Sequence, residues 1–250
     1  MITHGEAMDI ARKFAGEIHI DLQEKLLAVF VIGSLGADYY RPGQSDIDTA
    51  LILNCGREEA ARIEKRIEAV QDRYWHGYDV PKGFGAIVFA EEQLHPPYVK
   101  EEELVLEIMR LKTQSKLVFG DYDVDKIPMP DKQAIKDDAI AFQSWADGEK
   151  EKRNEEMTIR ADEFHKLVNS TLIALKRYLM LQHGIVEFNK FKVIDLYLRN
   201  EPPLVDQETF RFIDFALRND SVQVSEEQMF RMIKWHDELY TVINNIVLYN

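Results

Sequence analysis

The sequence predicts a mixed α/β (α+β) domain over residues 1–125, followed by an all-α helical-bundle domain over residues 126–250. In the first half, short β-branched and aromatic runs alternate with segments in which apolar residues recur at helical spacing. Beyond Pro128 and Pro130 that alternation stops, and only helical periodicity remains. Glycine, aspartate and proline collect over residues 120–130, which places the domain boundary there.

The elements of the first domain follow from its periodicity. Ala28–Ile32 is a β-branched and aromatic run that ends at Gly33, and it therefore predicts a buried strand. The helices are predicted from apolar residues that recur every three to four positions. In chain order, the predicted elements are helix 5–26, strand 28–32, strand 46–53, helix 57–73, strand 84–89 and helix 98–113.

The second domain is predicted as five helices. Ser225 precedes Gln228 by three residues, which is the spacing of a capping box, and Asp206 is a further candidate N-cap. Gly184 is the predicted stop of a long helix. The predicted helices are 134–153, 158–183, 191–199, 207–218 and 225–248.

The charge and the cysteine content of the chain argue against several classes of function. The chain has 250 residues, with 31 Lys and Arg against 44 Asp and Glu, for a net charge of −13. This balance argues against binding of DNA, long RNA or an anionic membrane, because these need clustered basic residues. A single cysteine, Cys55, excludes an intrachain disulfide and predicts a reducing cytoplasm. The N-terminal residues lack a signal-peptide pattern, and no apolar run approaches the ~18 residues of a membrane span.

One segment combines residue types that suit a nucleoside triphosphate. A strand ends in Gly33-Ser34, and Asp46-Ile47-Asp48 begins the next strand. Residues two apart on a strand share a face, so the two carboxylates lie side by side and repel unless a cation separates them. Mg²⁺ prefers such oxygen ligands and shares them with phosphates. Gly33 allows close backbone approach to a phosphate, Ser34 offers a hydroxyl and an amide, and a short helix begun at 34–40 would add donors.

These residues resemble the nucleotidyltransferase superfamily typified by DNA polymerase β, whose signature is a hydrophobic residue, Gly, then Gly or Ser, and about a dozen residues later acid–hydrophobic–acid. Both halves of this signature are matched, by Ile32-Gly33-Ser34 and by Asp46-Ile47-Asp48. The adjoining residues Gly36 and Ser45 resemble those of the small-molecule branch, such as the aminoglycoside nucleotidyltransferases. The resemblance implies a short mixed sheet. It also implies an enzyme in which Asp46 and Asp48 hold Mg²⁺ and a hydroxyl attacks the α-phosphorus of ATP or another NTP.

The resemblance also assigns the remaining binding residues. Ser34 would contact the β- and γ-phosphates, and Ser45 would orient the loop. Relatives often carry Arg just after the Gly-Ser motif, where this chain has Ala37, so Arg41 is the candidate for that phosphate contact. The acceptor is expected to be a small hydroxyl compound in the cleft between the domains, and the acidic chain favours a cationic one.

A third carboxylate, which the family carries on a later strand, is not evident. The strand 84–89 holds no acid. The candidates that remain are a flanking acid, an acid of the helical domain, or none at all. If there is none, the chain is a degenerate nucleotidyltransferase that binds a nucleotide or a partner protein without turnover. The candidate acids are Asp79, Glu91, Glu92, Glu155 and Glu156.

The second domain resembles the HEPN-type helical domains that accompany minimal nucleotidyltransferases, over Phe164–Leu179 and His183-Gly184. Arg160 and His165 also fit the Arg-x4-6-His pattern of HEPN ribonucleases. The acidic chain disfavours that activity, which needs a basic RNA-binding surface. Protein nucleotidylylation in a toxin–antitoxin pair is a further alternative function. The sequence leaves open whether the chain forms a homodimer.

Overall fold

The computed structural model describes residues 1–99, 104–141, 161–200, 207–218 and 224–249. The chain divides into two compact units. The first comprises Met1–Val99 and Leu104–Pro130, and the second continues from Asp131. In the described parts of the chain, no helix is both long enough and apolar enough to cross a membrane.

The first unit is built on a four-stranded mixed sheet. The strands are β1 (Leu26–Ile32), β2 (Ile47–Leu53), β3 (Phe84–Ala90) and β4 (Ser115–Gly120). They lie in the order β3-β2-β1-β4. The centre of the sheet is antiparallel, since β1 pairs with both β2 and β4 in that sense, while β3 runs parallel to β2. The expected short mixed sheet is therefore confirmed.

The edge strand β4 was not among the predicted elements. Its six residues are Ser-Lys-Leu-Val-Phe-Gly, and each is intermediate or exposed. A half-exposed edge strand lacks the continuous apolar run that identifies a buried strand. It forms because its backbone pairs with β1, on the side of β1 that faces away from β2.

Helices cover both faces of this sheet. They are α1 (His4–Leu22), the single turn α2 (Gly33–Gly36), α3 (Arg57–Gly77) and α4 (Val105–Thr113). The alternation of β-strand side chains separates two cores. One core joins Val29, Val31 and Leu51 to α1 and α3. The other joins Ala28, Phe30, Ile32, Ala50 and Ile52 to Ile108 and Leu111 of α4.

The helix ends differ from the predicted ones for local reasons. Thr3 and Glu6 form a capping box that begins α1 at His4, and the chain turns at Gln23, where φ is +50°. The predicted helix 98–113 begins only at Val105; residues 100–103 lie outside the described residues.

The described part of the second unit contains helices and no strand, which confirms the all-α prediction. Its capping box is also confirmed: Ser225 Oγ accepts from the Gln228 backbone N–H, and Gln228 Oε1 accepts from the Ser225 N–H. Gly184, at φ +66°, follows the end of α6 as expected. The helices are α5 (132–141), α6 (Ala161–His183), α7 (Lys190–Asn200), α8 (Gln207–Arg218) and α9 (Glu226–Tyr249).

An aromatic cluster and a buried ion pair hold these helices together. Tyr197 contacts the rings of Tyr178 and Phe210, and Phe210 contacts Trp235, which is fully buried. Arg177 of α6 donates two hydrogen bonds to Asp138 Oδ2 of α5, at 2.8 and 2.5 Å. Removal of one partner would leave the other charge buried, which makes the pair a strong constraint on the packing of α5 against α6.

Candidate functional site

The two acids and the Gly-Ser turn lie at one end of the central strand pair. Asp46 directly precedes β2, and Asp48 is the second residue of that strand. Asp48 pairs across the sheet with Ile32, the last residue of β1. Gly33 follows Ile32 immediately, so the antiparallel pairing places the turn next to the carboxylate. The structure thus brings together the two halves of the motif, which lie a dozen residues apart in sequence.

The Gly-Ser turn has an unusual backbone and an unsatisfied hydroxyl. Gly33 is buried with φ at +65°, a left-handed conformation that side chains disfavour. Ser34 Oγ is buried and has no hydrogen-bond partner among the described residues. A buried hydroxyl without a partner costs stability, so its retention favours a role in holding a ligand that supplies the missing bond.

The loop between the turn and β2 is fixed by Ser45. Its side chain is buried, and Oγ accepts a hydrogen bond from the Arg41 backbone N–H at 3.0 Å. The Arg41 carbonyl in turn accepts from the N–H groups of Gln44 and Ser45. Ser45 therefore fixes the segment that delivers Asp46. Arg41 itself is exposed.

Arg110 is the cation that the structure places at the site. It belongs to α4 and forms an ion pair with Asp48 Oδ2, in which both side chains are only about one-fifth to one-quarter exposed, at 21% and 24%. Its Nη1 donates to Glu107 Oε2 at 3.3 Å. A methyl group at position 33 would overlap Nη2 of Arg110 and lie 2.9 Å from its Cζ. The guanidinium therefore fills the space between the glycine turn and the carboxylate.

The local charges keep this guanidinium protonated. Burial disfavours its charged form, but the carboxylates of Asp48, Glu107 and Asp46 outweigh that penalty and raise the pKa of Arg110 above its usual range. The carboxylate pair thus has a positively charged neighbour in this structure. Tyr40 lies nearby, and within the described part of the chain its buried hydroxyl has no hydrogen-bond partner. Burial, followed by the Asp46 charge, raises the pKa of that phenol.

Gly85 is the residue of β3 that faces the pair. It lies opposite Asp48 in the parallel register, and a methyl group at position 85 would lie 3.3 Å from Asp48 Oδ1. A longer side chain here would enter the site. Because this position is glycine, β3 contributes no carboxylate beside Asp48.

Of the acids considered as a third carboxylate, the structure describes Asp79, Glu91 and Glu92. Glu91 and Glu92 follow Ala90, which is five residues along β3 from Gly85, about 17 Å at the usual rise per residue. Glu92 instead accepts from the Arg57 backbone N–H at 3.1 Å. Asp79 is exposed in the turn after α3. Glu155 and Glu156, like Arg160 of the ribonuclease pattern, lie outside the described residues.

The oxygen donors fit Mg²⁺. That ion is usually bound through one or two carboxylates, with water and substrate phosphates completing its shell. Asp46 and Asp48 are such donors, and the unpartnered Ser34 hydroxyl beside them suits a phosphate oxygen. Among the described residues no three His, Cys, Asp or Glu side chains come together as metal ligands. Two carboxylates and a hydroxyl are donors that fit a metal shared with a substrate.

Sequence reasoning missed Arg110 and Gly85 as site residues. A weak signal for Arg110 was present, since it stands between the buried Met109 and Leu111 on an apolar helix. A charge in such a place usually has a buried partner. Gly85 is informative only once the register opposite Asp48 is known.

Comparison with known proteins identifies the fold. No family model matches the chain, and no curated protein matches it. Among solved structures it is similar to the spectinomycin adenyltransferase AAD(9) from Enterococcus faecialis with ATP and spectinomycin. The TM-score is 0.60 at 14% identity, over 93% of this chain and 97% of that one. A toxin–antitoxin with AMP-PNP matches 59% of this chain at a TM-score of 0.28, too low to carry an argument. The chain therefore has a nucleotidyltransferase fold.

Proposed function

Starting from this nucleotidyltransferase fold, we propose that the protein is a Mg²⁺-dependent nucleotidyltransferase. It transfers a nucleoside monophosphate from an NTP, with ATP as the first candidate, to a hydroxyl of a small acceptor. The observation that carries the proposal is the Asp46 and Asp48 pair beside a glycine turn with a buried, unpartnered Ser34 hydroxyl. The adenyltransferase of the same fold, described with ATP and spectinomycin, supports the substrate classes.

The roles of the chain's residues follow from their positions. Asp46 and Asp48 would hold the metal, which when bound neutralises the triphosphate and orients the acceptor hydroxyl. Ser34 Oγ donates to a phosphate oxygen, and Gly33, which has no side chain, lets the backbone of the turn approach that phosphate closely. Ser45 holds the loop so that Asp46 stays at the strand end. Most of the rate enhancement then comes from positioning and charge stabilisation.

The acceptor class is proposed from charge. A chain with a net charge of −13 attracts cations and repels polyanions, so an aminoglycoside or another polyamine alcohol suits it better than tRNA or DNA. In the proposed reaction the acceptor oxygen bonds to the α-phosphorus while the bond to pyrophosphate breaks. The hydroxyl proton is released to solvent.

The test is a turnover assay. Purified protein is incubated with ATP, Mg²⁺ and a panel of aminoglycosides, and pyrophosphate release is followed. We expect release that depends on Mg²⁺ and on one acceptor class, and that falls at least roughly a hundredfold in Asp46→Asn and Asp48→Asn. Asp9→Asn is the matched control, since Asp9 is an exposed α1 carboxylate that pairs with Arg12 on the surface. Full activity in Asp48→Asn would refute the mechanism.

A second candidate function is nucleotide binding without turnover. It is favoured by Gly85, which leaves β3 without a carboxylate facing Asp48, and by the guanidinium of Arg110 on that carboxylate. Calorimetric titration with ATP and Mg²⁺ separates the two candidates. Binding with no pyrophosphate release for any acceptor favours the regulatory function, whereas release favours the transferase.

A further inference from the structure

Arg110 is placed where it affects both halves of the proposed nucleotide site. On one side its guanidinium contacts Asp48 Oδ2, and on the other it lies against Gly33 of the phosphate-binding turn. It is attached to α4, which packs on the same face of the sheet as Asp48. Glu107, one turn earlier on that helix, steadies it through Nη1.

This position makes the guanidinium a competitor of any metal at Asp48. The two carboxylates repel each other unless a cation lies between them. In the structure Arg110 supplies that positive charge, so a divalent ion can use Asp48 Oδ2 only when the guanidinium moves. A guanidinium beside the carboxylates also repels a divalent cation that approaches them. Once moved, the guanidinium remains tethered beside Gly33, where a planar fork of donors suits phosphate oxygens.

We propose that Arg110 is an exchangeable counter-ion of the nucleotide site: it neutralises Asp48 in the metal-free protein, gives way to the divalent metal, and then binds the polyphosphate. This inference rests on the proposed nucleotide site. Its consequence is that metal alone binds weakly, whereas nucleotide, which offers the displaced guanidinium a new partner, strengthens metal binding. Nucleotide and metal then each raise the affinity for the other.

The test measures metal binding without turnover. Mn²⁺ is titrated into the protein and free Mn²⁺ is counted by electron paramagnetic resonance, first without nucleotide and then with a non-hydrolysable ATP analogue. In Arg110→Gln we expect Mn²⁺ alone to bind roughly tenfold tighter than in wild type, since one ion pair no longer has to be broken. The strengthening of Mn²⁺ binding by the analogue should shrink by a similar factor.

Two further variants keep the result interpretable. Arg66→Gln is the matched control, because Arg66 is an exposed arginine of α3 paired with Asp21, and it should leave Mn²⁺ binding unchanged. Arg110→Lys keeps the charge but cannot fork between Asp48 and Glu107, so its Mn²⁺ affinity should fall between wild type and Arg110→Gln. If Arg110→Gln does not fold, the comparison of Arg110→Lys with wild type remains the test.

The outcomes separate this inference from the proposed function. Mn²⁺ binding by wild type that is no tighter in Arg110→Gln or Arg110→Lys overturns the counter-ion role and leaves the transferase proposal intact. No Mn²⁺ binding by any variant, with or without analogue, overturns both. Tighter Mn²⁺ binding in Arg110→Gln with no pyrophosphate release in wild type supports the counter-ion role and sinks the transferase proposal.

Discussion

The contact between Gly33 and Arg110 predicts a large and specific cost for Gly33→Ala. The backbone at this position has φ +65°, which costs an alanine about 1–2 kcal/mol. The new methyl group would also overlap Nη2 of Arg110 and lie 2.9 Å from Cζ. The guanidinium, which is the far end of a flexible side chain, must therefore shift, and we expect this shift to break its contact with Asp48. Loss of this mostly buried ion pair adds about 1–2 kcal/mol, between the values for exposed and fully buried pairs.

The assay is equilibrium urea unfolding, in which Gly33→Ala should lower the free energy of unfolding by about 2–4 kcal/mol. Gly16→Ala is the matched control in the same unit. Gly16 lies inside α1, where an added methyl group meets nothing within 4 Å. It should raise the free energy of unfolding by about 0.5–1 kcal/mol, and the transition it shifts belongs to the first unit.

A double-mutant cycle isolates the contact. In an Arg110→Gln background the guanidinium is gone, so Gly33→Ala should cost only the backbone part, about 1–2 kcal/mol. The difference between the two backgrounds measures the coupling between Gly33 and Arg110. An equal cost in both backgrounds, within about 0.5 kcal/mol, would refute the placement of Arg110 against the turn, and with it the argument that this glycine is needed for the guanidinium.

Three further predictions test the site and its scaffold. Ser34→Ala should leave the free energy of unfolding unchanged or raise it by up to about 1 kcal/mol, because its buried hydroxyl has no partner, and it should weaken ATP binding roughly tenfold in calorimetric titration. Arg177→Met should lower the free energy of unfolding by about 3–5 kcal/mol, and Asp138→Leu added to it should recover most of that loss in thermal unfolding, since both side chains are almost fully buried. Burial, followed by a hydrogen bond with Glu17, raises the pKa of Tyr74 to about 12. The stability that this phenol contributes is therefore present below pH ~10 and is lost as the pH rises toward 12. Urea unfolding from pH ~9 to ~11.5 should show a decline in the free energy of unfolding, and Tyr74→Phe should remove the part of that decline that is due to this residue.

The secondary structure was predictable wherever one apolar face or one continuous apolar run determines whether a segment is a helix or a strand. The strand over 28–32 is buried along nearly its whole length, and the charged helix from Arg57 has a clear apolar stripe, so both were found. The edge strand Ser115–Gly120 was missed because its structure comes from pairing with β1 rather than from its own side chains. The capping box at Ser225 was found because its signal is local, three residues wide.

The same distinction explains the site. Strand geometry predicted that Asp46 and Asp48 lie side by side. The resemblance to the nucleotidyltransferase signature joined them to Gly33 and Ser34, and the structure does bring these residues together. Arg110 lies 62 residues from Asp48 and reaches it only because α4 crosses the face of the sheet on which Asp48 projects. Sequence reasoning gave the neutralising role at the acids to a metal alone.

A bound metal is nevertheless not the only cation that can neutralise two adjacent carboxylates. The two charges repel each other in every state of the protein in which no cation or proton neutralises them, including the state before any substrate arrives. Mg²⁺ held by only two carboxylates depends on substrate phosphates to complete its shell, so it is poorly suited to that first state. A guanidinium tethered between the acids and the glycine turn meets the requirement without a ligand. The absence of a side chain at Gly85 leaves Asp48 Oδ1 free of a third acid on that strand, which reduces the negative charge that one arginine has to balance.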